Sequence, residues 1–369
     1  MRVKIFLIPF LLLMCLVSFA ADKPPKAPSQ PESGPGGTEY AHKDVKRYRY
    51  GKGGQEYWIF EPADPAPDRA PVVVFNHGWT AMNPKIYGAW IDHIVRRGNV
   101  VIYPRYQANL ATPPGKFTPN AIQAVKDAVR RLQKEKDHVR PVSGKFAVVG
   151  HSVGGLLSAN IAALASESGL PRPKAVMCVQ PGKSWGPRRI VVPLEDLSKI
   201  SAATLLLTIA GDKDGVVRDV DAKRIYRRAN RIPARNKDFV LMRSDGHGRP
   251  PLEANHLAPV AADERYDSGD GLLGGGGGVR RGKLRDRIRE RRKKNKEGER
   301  SPIIDRAAGG DSVDALDYYG TWRLFDALCR AAFEGKNRES ALGDTAGQRF
   351  MGRWSDGEAV KELVVSDPD

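Results

Sequence analysis

Cysteine is scarce in this chain: three residues in 369, of which Cys15 lies in the first apolar stretch. The other two, Cys178 and Cys329, are too few for a disulfide-built scaffold, so the fold must rest on a buried core. Cys178 falls in a strand-like apolar run and Cys329 in a helical one, the pattern of two separate buried thiols. Long hydrophobic runs are absent after residue 20, which excludes a later membrane-spanning helix. No G-x-G-x-x-G follows a strand. Gly182-Lys183-Ser184 mimics the end of a phosphate loop, but Met177 stands where that loop needs its upstream glycine, so this reading is rejected. Internal repeats are absent. Acidic residues are outnumbered 43 to 60, a net charge of +17. The excess is concentrated: Val279 to Arg300 holds 12 Lys and Arg against 4 Asp and Glu, a net +8. The basic character therefore belongs mostly to one segment, suited to an anionic surface or polymer and giving no case for specific nucleic-acid binding.

The start of the chain is positive at Arg2 and Lys4, then almost wholly apolar from Ile5 to Phe19, with small residues at Ser18 and Ala20. This is the pattern of a cleavable secretory signal peptide over residues 1–20, and it predicts a secreted or periplasmic protein with no stable span after cleavage. Residues 21–38 are rich in Pro, Gly and Ser and read as a tether. A strand–helix alternation then fills residues 39–260. Strands are expected over Val45–Tyr50, Glu56–Pro62, Pro71–Asn76, Val100–Pro104, Lys145–Val149, Lys174–Gln180, Ala203–Ala210 and Lys237–Met242. Short apolar strands separated by amphipathic helices predict a mostly parallel eight-stranded sheet with helices on both faces. Residues 261–311 carry Gly274–Gly278 and the basic run, and read as a disordered insertion. Residues 312–369 return with a long helix over Ala315–Phe333 and a tail. Gln180 to Ala203 leaves no room for a large cap domain.

Chemistry enters at Gly150-His151-Ser152-Val153-Gly154. A chain of this composition yields about 0.2 such glycine-framed serines by chance, so context must decide. Phe146 to Val149 is a short apolar strand, and Leu156, Leu157, Ile161 and Leu164 follow at helical spacing. Ser152 thus sits on a strand-to-helix turn at the carboxyl end of a parallel sheet, where ligands bind. Flanking glycines let strand and helix approach closely, and the helix N-terminus favours a developing oxyanion. A plain helix-capping serine is the competing reading. A serine nucleophile needs a base and a group to orient that base. Asp214 or Asp212, in Gly211-Asp212-Lys213-Asp214-Gly215-Val216-Val217, follows a strand and suits the acid. His247 and His256 both follow the last strand and suit the base: the first is nearer the strand, the second has the more apolar neighbours. Oxyanion donors are expected from the N–H of Val153 and from Trp79 in His77-Gly78-Trp79-Thr80, with His77 as an orienting or packing residue. Trp79, Tyr106 and Trp185 could line the site.

With these strings in this order, the chain resembles the α/β-hydrolase family over about Val45 to Val260 and Ala315 to Phe333. Within it the H-G-W-T loop, the G-H-S-V-G turn and the G-D-K-D-G-V-V turn are similar to those of the cutinase-like, polyester-hydrolase, dienelactone-hydrolase and chlorophyllase group. The resemblance implies an ester substrate, a serine esterase and no cofactor. It implies the second aspartate, Asp214, as acid. It favours His256 as base, because Asn255-His256-Leu257-Ala258-Pro259 resembles the family's base-bearing string, with the preceding GHGRPPLEA as a departure that keeps His247 as the alternative. Some related cutinases bind calcium near this loop; the ligand cluster for that is lacking here, and no metal is predicted. A peptidase or acyltransferase on the same scaffold, or an inactive fold serving as a polyanion-binding module, are the other functions the sequence admits.

The basic segment generates its own test. Replacing residues 271–310 with a short Gly/Ser linker is expected to preserve folding and small-ester hydrolysis, since loop-closure entropy changes slowly with length. Retention on heparin or anionic vesicles at low salt is expected to fall, because exposed cations act through a screened field. Turnover and column retention, measured on the same preparation, check both halves.

Overall fold

In each core strand, alternate side chains enter opposite layers, and the computed structural model, which describes residues 23–270 and 313–368, has a hydrophobic layer on each face of one sheet. Val73 and Phe75 pack on one side with Trp90 and Ile94 of helix α1 (Gly88–Arg96) and Phe325 and Leu328 of α5 (Arg323–Glu334). Val72 and Val74 pack on the other with Ala121 and Ala128 of α2 (Phe117–Lys134) and Leu156 of α3 (Val153–Leu164). Helix α4 (Val220–Arg228) lies on that second face, through Ile225.

The sheet has nine strands in the order β1-β2-β4-β3-β5-β6-β7-β8-β9. They are β1 (Asp44–Tyr50), β2 (Tyr57–Ala63), β3 (Arg69–Asn76), β4 (Val100–Pro104), β5 (Arg140–His151), β6 (Ala175–Val179), β7 (Leu205–Gly211), β8 (Lys237–Met242) and β9 (Val364–Ser366). Strands β3 to β8 are mutually parallel; β1, β2 and β9 run antiparallel to their neighbours. The mostly parallel sheet with helices on both faces and the eight expected strands are therefore present, and β9 corrects the count to nine. Three residues in an acidic and polar tail are too few to give an alternation.

Two boundaries move. The tether expected at 21–38 lies, over its described residues, against the domain. Gly36 donates its N–H to Asp326 at 2.8 Å, Pro25 accepts from the Arg249 N–H, and Lys26 accepts from the Ser355 N–H at 3.0 Å. A segment too small to make a core has borrowed one. Of the insertion expected over 261–311, the described residues up to 270 include the buried Tyr266, whose hydroxyl donates to Asp92 at 3.0 Å; residues 271–312 lie outside the described residues. The signal peptide expected at 1–20 and the basic run at 279–300 lie outside the described residues. Among the described residues, no helix is long and apolar enough to cross a membrane. Cys178 and Cys329 are separate, buried free thiols.

The chain ends are organised by α5. The expected long helix opens with a π-helical turn, Leu316–Trp322, before α5 proper. From the start of α5, the buried Arg323 guanidinium donates to the carbonyls of Gly347, Gln348 and Phe350, which folds the tail back. Burial lowers its pKa to about 10, still charged at neutral pH. One turn on, Asp326 collects the Gly36 N–H, His93 Nε2 at 3.0 Å and Arg97 at 3.6 Å. Burial alone would raise the Asp326 pKa; His93, Arg97 and the Gly36 N–H outweigh it and hold the carboxyl below its ordinary value.

Asp326→Asn is expected to cost about 3 kcal/mol, as breaking a buried ion pair does, read as a shifted urea midpoint at neutral pH. The folded-state pKa is depressed, so the wild-type contribution is present above the ordinary carboxylate value and is lost as pH falls through the folded value below it. The gap between variant and wild type should therefore close in acid.

Candidate active site

The glycines of the G-H-S-V-G turn are set by contact. A Cβ on Gly150 would run into the Gly154 carbonyl, and one on Gly154 into the carbonyls of Asn76 and His77. With both absent, α3 starts hard against β3 and β5, and the chain turns at Ser152 with φ 57° and ψ −125°. Non-glycine residues rarely adopt such a φ, and they concentrate where the backbone serves a site. Ser152 is anchored by its own N–H to the Val179 carbonyl at 2.9 Å. Its side chain is left at the carboxyl end of the sheet beside the first N–H groups of α3, which have no acceptor within the helix.

Asp214 lies three residues past β7 and His256 fourteen past β8. They meet Ser152 in one line: His256 Nδ1 is 2.8 Å from Asp214 Oδ2, and His256 Nε2 is 3.0 Å from Ser152 Oγ. The other Asp214 oxygen, Oδ1, accepts the N–H groups of Val216 and Val217 at 2.9 and 3.0 Å. Burial pushes the Asp214 pKa up, but the His256 bond and charge and the two backbone donors push harder, so the carboxyl is held below its ordinary value. An ionised carboxylate only accepts, so it fixes the imidazole proton on Nδ1 and leaves Nε2 to accept from the serine hydroxyl.

The other candidates stand elsewhere. Asp212 Oδ2 accepts the Ser244 N–H at 2.8 Å and its Oδ1 the Ser244 hydroxyl, bracing the loop after β8. His247 is exposed on a side loop with Nε2 2.7 Å from Asp356 Oδ2, a bond that raises its pKa, and makes no contact with Ser152. His77 is buried between the rings of Tyr103 and Tyr106, with its pKa lowered to about 4 by burial. Tyr106 is stacked there, with its hydroxyl donating to the His77 carbonyl at 2.7 Å, so it supports the loop from below. Trp185 is exposed, with the Arg218 guanidinium 5.9 Å from its ring.

Ser152 and His256 open into a cleft of about 370 Å³ whose wall includes Trp79, Val153, Ile86 and Leu257, with Lys183 at one side. Trp79 packs edge-on to Phe117 at 5.4 Å, which sets the course of the Gly78–Trp79 backbone. Among the described residues, no three His, Cys, Asp or Glu side chains gather as a metal site. Two further wall residues had no role assigned from sequence, Tyr87 and His151. The signal for His151 was its place inside the serine turn; Tyr87 had none, because its partner is distant in the chain.

Residues 73–210 match a family model described as an α/β hydrolase fold, and no curated protein matches the chain. The parallel sheet, the helices on both faces and the serine at the β5–α3 turn define a hydrolase of the α/β fold. Over the matched residues the chain carries an α/β-hydrolase fold domain. The matched stretch includes Ser152 and ends before Asp214 and His256.

Gly154→Ala tests the turn. A methyl group against two backbone oxygens cannot be relieved by a side-chain rotation, so a loss of about 1–3 kcal/mol or more is expected, measured by urea unfolding.

Proposed function

We propose that the chain is a secreted serine hydrolase of carboxylic esters. The observation that carries the reading is the unbroken hydrogen-bonded line from Asp214 through His256 to Ser152, opening into an apolar cleft. In the proposed reaction Ser152 Oγ attacks the ester carbonyl while His256 Nε2 takes its proton. The carbonyl oxygen, now negative, accepts the N–H groups of Trp79 and Val153. Asp214 holds the imidazole tautomer and balances its positive charge. Collapse breaks the bond to the alcohol oxygen, which leaves with the proton from His256, and an acyl-serine remains. Water then attacks that ester with His256 again as base, and the carboxylic acid departs with Ser152 restored.

The chemistry needs no cofactor. The positive, apolar, small-residue pattern of residues 1–20 supports export, and the basic run at 279–300 supports attachment to an anionic surface or polymer. The Gln180–Ala203 connection carries no cap domain, which leaves the cleft open to bulky esters.

Variants measured on a p-nitrophenyl ester series test the assignment. Ser152→Ala and His256→Ala are each expected to fold and to lose about 10⁴-fold or more in kcat, as triad losses do. His247→Ala should stay within about threefold of wild type, since it only loses a surface ion pair. A folded Ser152→Ala variant that keeps a tenth of the turnover, or a reversed order of the two histidines, would overturn the assignment.

A further inference from the structure

His151 stands beside the nucleophile and is 2% exposed. A buried imidazole is costly unless its nitrogens have partners, and both have one. Nε2 is 2.8 Å from the backbone carbonyl of His256, and Nδ1 is 2.8 Å from the Tyr87 hydroxyl. The Tyr87 oxygen accepts the Gly78 N–H at 3.1 Å. The protons then have one consistent arrangement. A carbonyl only accepts, so His151 carries its proton on Nε2. Its Nδ1 accepts from Tyr87, whose single O–H points there and whose oxygen remains for Gly78. Burial and the neighbouring His256 lower the His151 pKa to about 3, so the ring stays neutral over the working range of an esterase.

The loop that carries His256 is held by successive carbonyls. Ala254 accepts the Lys213 N–H at 3.2 Å, Asn255 accepts Gln180 Nε2 at 2.8 Å, and His256 accepts His151 Nε2. The first two clamps come from residues beside β6 and β7. Only the third reaches across the cleft, through Tyr87, to the turn after β3 that carries Trp79. Gly78, with its N–H engaged by Tyr87, fixes the peptide plane next to the one whose N–H would meet the oxyanion.

Resting on the ester-hydrolase reading, we infer that His151 and Tyr87 are positioning residues: the pair locks the main chain of the base to the main chain of the oxyanion turn. Neither touches the reacting atoms in this role. The brace keeps the proton acceptor and the charge-stabilising donor at one fixed separation, so a substrate that meets one meets the other.

His151→Phe keeps a buried ring and removes both bonds; Tyr87→Phe removes a single oxygen. On p-nitrophenyl butyrate each is expected to lower kcat about 10- to 100-fold, the scale of a sub-ångström misplacement, with KM changed by less than about threefold. The double variant should lose no more than the worse single one, because both break one brace. His151→Gln, whose amide N–H reaches the same carbonyl, should recover most of the kcat lost in the Phe variant. A proton NMR signal from His256 Nδ1–H should be present in wild type and His151→Gln and broadened by solvent exchange in the Phe variants. Unchanged kcat in folded His151→Phe and Tyr87→Phe, multiplying losses in the double variant, or an unaltered Nδ1–H signal would each overturn the brace. Should His151→Phe fail to fold, Tyr87→Phe decides the matter alone. Wild type that cleaves no ester would remove the ester reading, and the Nδ1–H signal would still decide whether the brace exists.

Discussion

The backbone of Gly154 lies against the carbonyls of Asn76 and His77, and the whole site hangs from that approach. It seats α3 on β3 and β5 so closely that the chain between them must turn through a left-handed residue. Ser158 reinforces the seat from one turn further on, with its hydroxyl donating to the Gly154 carbonyl at 2.8 Å and accepting from Asn76 Nδ2 at 3.0 Å. The same approach delivers the serine side chain and the free start of a helix to one spot. The place of the serine and of the free helix start beside it are thus consequences of a single packing contact.

Charge around the serine is arranged by neighbours rather than by residue type. Asp212 and Asp214 are two positions apart on one turn, yet one braces Ser244 while the other faces His256. Four histidines show the same division. His77 and His151 are buried with their pKa values lowered, His247 is exposed with its value raised by Asp356, and His256 bridges the Asp214 carboxylate and the Ser152 hydroxyl.

Much of this was legible in the sequence because the parallel strands are short, continuous apolar runs such as PVVVFN and ATLLLTIA, which admit few other readings. The strand-to-helix step at Ser152 was legible for the same reason. Which histidine faces Ser152 was not, on chain distance alone, since His247 is nearer β8. The structure supplies the reason: Asp245 and Leu252 exchange backbone hydrogen bonds at 2.8 Å, closing residues 246–251 into a side excursion that carries His247 away and returns the chain with His256 ahead. Asp245 also accepts from the Trp354 indole and the Lys361 N–H, so that closure depends on the tail. Residues 23–38 and β9 were missed because composition describes what a segment can bury by itself and says nothing of a surface supplied by residues far away in the chain.

That distance has a consequence in time. Gly36 bonds to Asp326 and Lys26 to Ser355, while Arg323 gathers the tail carbonyls. Every one of these partners is made in the last stretch of synthesis, after residues 39–260 have left the ribosome. Apart from the Pro25–Arg249 bond, these contacts of the front of the chain wait for the back to arrive. These latches therefore close only when the final stretch of the polypeptide has been made.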